Sequence, residues 1–270
     1  MSALLVRGAE SGTAMTASGR GIASRDSDIS SADLDKLASG GAGWTYAWRY
    51  RKIPASRPGM DVVPMLRNAA SIQTDTVSVL AAAKARGDFK YLLGFNEPDG
   101  VNQANMTPTQ AANLWPKLQA TGLILGSPAP AVPDNGWLRS FMTIAKARNL
   151  RVDFIALHFY AQLTDTNAVA RIKTQVQAIR SHYGKPIWIT EVGIIDRRTS
   201  NIGSTSTNWA RSVKQMRGIT SMLDSLPYVV RYAWVADHVA SAQPLLKWSE
   251  IYDNYGRITP LGTAYKNLGS

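Results

Sequence analysis

Residues 92–100 read LLGFNEPDG, and the fold is legible in how that stretch changes character. A short apolar run suited to a buried parallel strand breaks at Gly94 and turns polar at Asn96, Glu97, Pro98 and Asp99. Proline cannot continue a central strand, so the run ends with an amide and a carboxylate side by side. Residues 186–193, PIWITEVG, have the same shape: an apolar run, Glu191 at its end, then a glycine. Two strands that each finish on a glutamate call for a fold that gathers strand ends in one place.

Around these two stretches, strand-like and helix-like segments alternate from Arg20 onward. Strands are expected at 21–24, 44–48, 62–66, 91–95, 123–127, 154–158, 187–190 and 229–234. Helical marks fall between them at 74–86, 110–119, 137–149, 168–182 and 207–223, the second of these led by a Thr107 cap and a first-turn Pro108. Eight alternating units, with no Gly-rich phosphate loop after the first strand, predict an α/β protein. The expected form is a single (β/α)8 TIM barrel with its active site at the C-terminal ends of the strands. The 270 residues suit one such domain. Residues 1–19, rich in Ser, Ala, Gly and Thr, read as a flexible leader, and 20–270 as the catalytic domain.

Composition narrows the function classes. The chain is 45% hydrophobic and 18% charged, with no apolar run near the roughly 20 residues a bilayer requires, so no membrane span is expected. Cysteine is absent, which removes disulfides and thiolate metal sites. The net charge of +11 is spread along the chain with only short pairs such as Arg51-Lys52. That pattern is a solvated basic surface rather than a nucleic-acid stripe. The three histidines, His158, His182 and His238, lie far apart with no paired metal motif, and no metal or cofactor is expected. No nucleophile elbow is present for a Ser-His-Asp arrangement.

A barrel collects the unusual residues on one rim. Glu97 ends strand four and Glu191 strand seven. His158 and Tyr160 share a face at the end of strand six, and Trp44, Tyr46 and Trp48 share one on strand two. Strand eight ends in Trp234, followed by Asp237 and His238. Two carboxylates amid aromatic rings are the equipment of glycoside hydrolysis: one carboxyl protonates the leaving oxygen, and the other attacks or activates water. Aromatic rings offer flat platforms to the C–H faces of sugars, and amides and phenols take hydroxyls.

The motifs LLGFNEPDG, AANLWP (111–116), LGSPAPA (125–131), VDFIALHFY (152–160), PIWITEVG and RYAWV (231–235) together resemble glycoside hydrolase family 128, in order from about Arg20 to the C-terminus. The resemblance implies retaining cleavage of β-1,3-glucan. It implies Glu97 as general acid/base, Glu191 as nucleophile, Asn96 holding the 2-hydroxyl of the cleaved sugar, Tyr160 orienting the nucleophile, and Trp234 as the floor of that subsite. After Trp234 this sequence reads Val-Ala-Asp where the family leads one to expect phenylalanine next. An exported, monomeric enzyme is expected, since polymeric glucan lies outside most cells. The action is expected to be endo, with exo action or another β-linkage as the alternative.

Each residue also has a plainer reading. Glu97 could be a helix N-terminal acid and Glu191 an ion-pair partner of Arg197 or Lys185, but jointly, at two strand ends, they read as a catalytic pair. His158 reads equally as a satisfied histidine at the core edge or as a substrate contact, and Trp137 as a helix anchor or a cleft residue. Trp44 and Trp48 are expected in the cleft. Trp188 is expected toward the helices by alternation from Glu191, and Asp99 is expected to cap or turn its own loop. A non-catalytic glucan-binding barrel would lack one glutamate, and both are present. A sugar-phosphate enzyme would need a Gly-rich loop after strand seven or eight or a metal cluster, and the sequence has neither.

Overall fold

The computed structural model describes residues 19–24, 29–133, 135–197, 205–235 and 244–269. All eight expected strands form: β1 (Arg20–Ala23), β2 (Trp44–Tyr46), β3 (Asp61–Val62), β4 (Tyr91–Leu92), β5 (Ile124–Leu125), β6 (Ile155–Gln162), β7 (Ile187–Ile195) and β8 (Val229–Trp234). The α-helices are α1 (Ser31–Ser39), α2 (Thr76–Arg86), α3 (Pro108–Ala120), α4 (Trp137–Ala147), α5 (Ala168–Tyr183), α6 (Thr205–Asp224) and α7 (Pro260–Lys266). Side-chain caps start some of them. At α3, Thr107 and Gln110 form a reciprocal capping box with Pro108 in the first turn. Ser30 and Asp33 do the same for α1.

Every strand pairing is parallel, as crossover helices require. A continuous ladder runs β3-β2-β1-β8-β7-β6, and β4-β5 form a separate pair. Single parallel bridges, Met65 to Leu93 and Gly126 to Phe154, join that pair to its neighbours on both sides. The eight strands thus follow one another around a barrel with two thin seams. The β3 seam is thin because Pro64, two residues past the strand, has no N–H to donate; its carbonyl instead accepts from Leu93.

Buried side chains fall into two layers. An outer one, including Leu92, Phe95, Trp115, Ile189 and Tyr232, lies between strands and helices. An inner one fills the barrel with Trp44, Tyr46, Met65, Phe154, Trp188 and small partners such as Ala156 and Ala233. Trp188 stacks on Phe154 with ring centroids 4.1 Å apart and meets Tyr91 at 4.8 Å and Trp44 at 5.3 Å. The Arg231 guanidinium lies 4.6 Å over Trp188 and 4.7 Å over Tyr91 while pairing with Asp61. Two glycines make room for this filling. A Cβ on Gly21 would fall 2.4 Å from the Trp44 ring, and one on Gly126 would fall 2.5 Å from that of Phe154.

Two expectations fail here for physical reasons. Trp188 faces the barrel interior, not the helices, because β7 carries an extra residue. Leu157 pairs with Ile189 but His158 pairs with Glu191, so Thr190 is skipped, and the register shifts against β8 as well. A bulge of this kind cancels the alternation that predicts opposite faces. Trp44 does not project into a cleft. It is fully buried low in the barrel, its indole N–H shared between the carbonyls of Gly19 (3.3 Å) and Tyr232 (3.2 Å).

Candidate active site

The bulge in β7 sets Glu191 beside His158, with Tyr160 two residues further along β6 on the same face. The Glu191 carboxylate is buried and accepts from three donors. Oε1 receives the Tyr46 hydroxyl at 3.2 Å and the Trp48 indole N–H at 3.0 Å, while Oε2 receives the Tyr160 hydroxyl. These three donors, and not the Arg197 or Lys185 of the plainer reading, are the partners of the carboxylate. Burial first, and then the Glu191 charge, push the Tyr46 phenol well above its usual range, so it remains a proton donor.

Glu97 follows β4 in a left-handed backbone conformation, φ 44°, which costs a non-glycine residue roughly 1–3 kcal/mol. Among the described residues, the other non-glycine residues with positive φ are Lys52 and two asparagines, and asparagine tolerates this region far better. The segment after β5 and its own loop hold Glu97 there: its N–H donates to Ala129 O at 2.8 Å and its carbonyl accepts from Gly100 N at 2.9 Å. Asn96 is buried beside it. Its Oδ1 accepts the same Trp48 indole at 3.1 Å, and its Nδ2 lies 3.4 Å from Gln103 Oε1, which also accepts from Arg67.

His158 joins the two acids. Nδ1 lies 3.1 Å from Glu97 Oε1 and Nε2 3.6 Å from Glu191 Oε1, the latter beyond hydrogen-bonding distance. One oxygen of each carboxylate and an imidazole nitrogen fall within 4.8 Å of one another, a set that could also hold a cation. Burial opposes charge on the imidazole. The Glu191 carboxylate, the bond to Glu97 and the charge of Asp99 outweigh it and raise the His158 pKa above its ordinary value. His158 has no exposed surface and bridges the two acids.

The expected site residues thus divide. Glu97, Glu191, Asn96, His158, Tyr160 and Trp48 come together. Trp44 lies beneath them, and Trp234 points away: it is fully buried in the outer layer, donating its indole N–H to Ser249 O at 2.9 Å with its ring 6.0 Å from Tyr265 of α7. Strand alternation explains this, because the small Ala233 and Val235 occupy the crowded inner face and leave the outer one to Tyr232 and Trp234. Trp137 has the contacts of an anchor: it opens α4, stacks on Phe141 and donates to Met106 O at 2.8 Å. Asp99 does not cap its own loop; it accepts from residues after β5. Asp237 and His238 lie outside the described residues. Period-two spacing grouped Tyr46 with Trp44 and Trp48 but gave it no role; its bond to Glu191 is what the sequence reading missed.

Comparison with known proteins places this geometry. A family model described as glycosyl hydrolase catalytic core matches residues 21–265. A mutant of a subgroup I family 128 endo-β-1,3-glucanase from Amycolatopsis mediterranei, solved with laminaripentaose, is 31% identical, with 93% of this chain and 100% of that one covered and a TM-score of 0.77. A subgroup III curdlan-specific exo-β-1,3-glucanase from Blastomyces gilchristii, solved with glucose, is 28% identical over 93% of this chain and 98% of that one, with a TM-score of 0.66. The alkali-sensitive linkage protein 1 of Schizosaccharomyces pombe is 27% identical over 86% of this chain, which spans 41% of that protein's length.

Proposed function

From a chain that belongs to glycoside hydrolase family 128, we propose a retaining endo-β-1,3-glucanase working by double displacement at Glu97 and Glu191. The observation that carries this reading is the pair of carboxylates on separate strand ends, with oxygens inside a 4.8 Å set and His158 between them. Retaining glycosidases hold their carboxyl groups about 5–5.5 Å apart, whereas inverting enzymes leave roughly 6.5–9.5 Å for a water molecule.

In the first step Glu191 attacks the anomeric carbon while Glu97 gives its proton to the glycosidic oxygen. An ester forms between sugar and Glu191, and the shortened glucan leaves as the alcohol. Tyr46, Trp48 and Tyr160 hold the Glu191 carboxylate in one orientation, so little rotational freedom is lost on attack. In the second step Glu97 takes a proton from water, which opens the ester with a second inversion and restores both carboxyl groups. His158 adjusts the charge between them, and Asn96, buried beside Glu97, meets the 2-hydroxyl of the reacting sugar.

The catalytic unit in this reading is residues 20–270, acting as a monomer on glucan outside the cell. Among the described residues no helix is long and apolar enough to cross a membrane. The test is product analysis on linear β-1,3-glucan with wild type, Glu97→Gln and Glu191→Gln, with the anomer of the first product read by proton NMR. Several oligosaccharide sizes appearing first as the β-anomer, and none from the variants, is the expected result. Initial α-anomer would refute double displacement. Glucose alone would replace endo with exo action, and binding without cleavage would remove the enzyme reading.

A further inference from the structure

Something must keep Glu97 in its unfavourable backbone conformation, and a closed circuit of hydrogen bonds surrounds it. Asp99, two residues on, reaches across to the segment after β5: Oδ1 accepts from Ala131 N at 2.8 Å, and Oδ2 accepts from Val132 N at 3.3 Å and Asn135 Nδ2 at 2.5 Å. Asn135 Oδ1 in turn accepts from the backbone N–H of Trp137, the first residue of α4, at 3.1 Å. The Trp137 indole donates to Met106 O at 2.8 Å, and Met106 N donates to Pro98 O at 2.9 Å. The path returns to the residue between Glu97 and Asp99, and the Glu97–Ala129 backbone bond spans the same two loops.

We propose that Asp99 and Trp137 are positioning residues for proton transfer, a brace that ties the loops after β4 and β5 to α4 and holds the Glu97 carboxyl where the glycosidic oxygen arrives. The proposal rests on the acid/base reading of Glu97. Neither side chain touches Glu97 through its own polar atoms; both act through the loop backbone. Asp99 is suited to this because both its carboxylate oxygens accept, whereas an amide would turn one of those two positions into a donor facing N–H groups and alanine would offer neither. Trp137 is suited because its ring is fixed by stacking on Phe141, 5.8 Å away, while its N–H remains free to reach the opposite loop. The Asp99 charge also acts on His158, so the same residue tunes the other partner of Glu97.

A displaced acid matters only where the leaving group needs a proton. The experiment compares Asp99→Asn and Trp137→Phe with wild type and Glu97→Gln on two substrates. One is linear β-1,3-glucan; the other is a 2,4-dinitrophenyl β-1,3-gluco-oligosaccharide, whose phenolate departs without protonation. Glycosylation is read from the pre-steady-state burst and folding from the melting temperature. The expected result is a loss of about 10- to 100-fold in kcat on glucan with KM within about twofold, and aryl glycosylation within about threefold. Glu97→Gln shows the same selectivity more strongly. Equal loss on both substrates, or no loss on glucan, in stably folded Asp99→Asn and Trp137→Phe overturns the brace while leaving Glu97's role intact. If Glu97→Gln is itself unselective, the acid/base reading fails and the brace falls with it. Should Asp99→Asn not fold, Trp137→Phe alone decides, since it keeps the stacked ring and removes only the N–H.

Discussion

Replacing Gly21 by alanine tests where the barrel keeps its aromatic filling. The new Cβ would lie 2.4 Å from Trp44 Nε1 and 2.5 Å from Cε2, while ordinary contact begins at 3.4 Å, so the indole must retreat by about 1 Å. It has nowhere to go. Trp188 lies 5.3 Å away and Tyr46 6.0 Å, centroid to centroid, and the Arg231 guanidinium sits 5.6 Å from the ring. Overpacking of this kind costs about 1–3 kcal/mol. A further ~1–3 kcal/mol follows if the indole N–H loses its bonds to the Gly19 and Tyr232 carbonyls. The middle of that range is about 4 kcal/mol, which lowers the melting temperature of a protein this size by about 12 °C. Urea and thermal denaturation followed by circular dichroism measure it. Adding Trp44→Phe removes the ring atoms in the way, so Gly21→Ala/Trp44→Phe should be less damaged than the sum of the single variants. A Gly21→Ala protein within about 0.5 kcal/mol of wild type would refute the placement of Trp44 inside the barrel.

Three other substitutions probe the site and its surroundings. His158 has a folded pKa raised above its ordinary 6.5, so its stabilisation is fully present below that pH and is lost as pH rises through the folded value. The melting-temperature gap between wild type and His158→Asn should therefore be widest near about pH 6 and narrow on going alkaline; a gap that widens with pH contradicts the bridge. Trp234→Phe removes a buried indole and its bond to Ser249 O, which should cost about 2–4 kcal/mol in denaturation while leaving KM for glucan unchanged. A raised KM in a stable variant would return Trp234 to the cleft. Thr107→Ala removes the side-chain cap of α3 and should cost about 1 kcal/mol without affecting kcat, measured by urea denaturation and steady-state kinetics.

Much of the fold was legible in the sequence because its signals are local. Runs such as 91–95 and 187–190 mark strands by their own composition, and Thr107-Pro108 caps a helix with atoms three residues apart, so all eight strands fall where expected. Glu97 and Glu191 stood out for the same reason, each a charge at the end of an apolar run. Strand alternation likewise put His158 with Tyr160, and Trp48 with Tyr46, each pair on one face.

Alternation fails wherever a neighbouring strand decides the register. The extra residue at Thr190 is a property of how β7 bonds to β6 and β8, and it turns Trp188 inward while leaving Glu191 on the same inner face. Whether a large ring lies at the floor, the rim or the outer wall depends equally on what faces it: Gly21 admits Trp44 to the interior, and Ala233 leaves Trp234 to the helix side. The sequence by itself determined a barrel with an acid at the ends of two strands. Only the tertiary structure decided which rings surround those acids, that His158 bridges them and that Tyr46 holds one of them, because these depend on contacts between strands far apart in the chain.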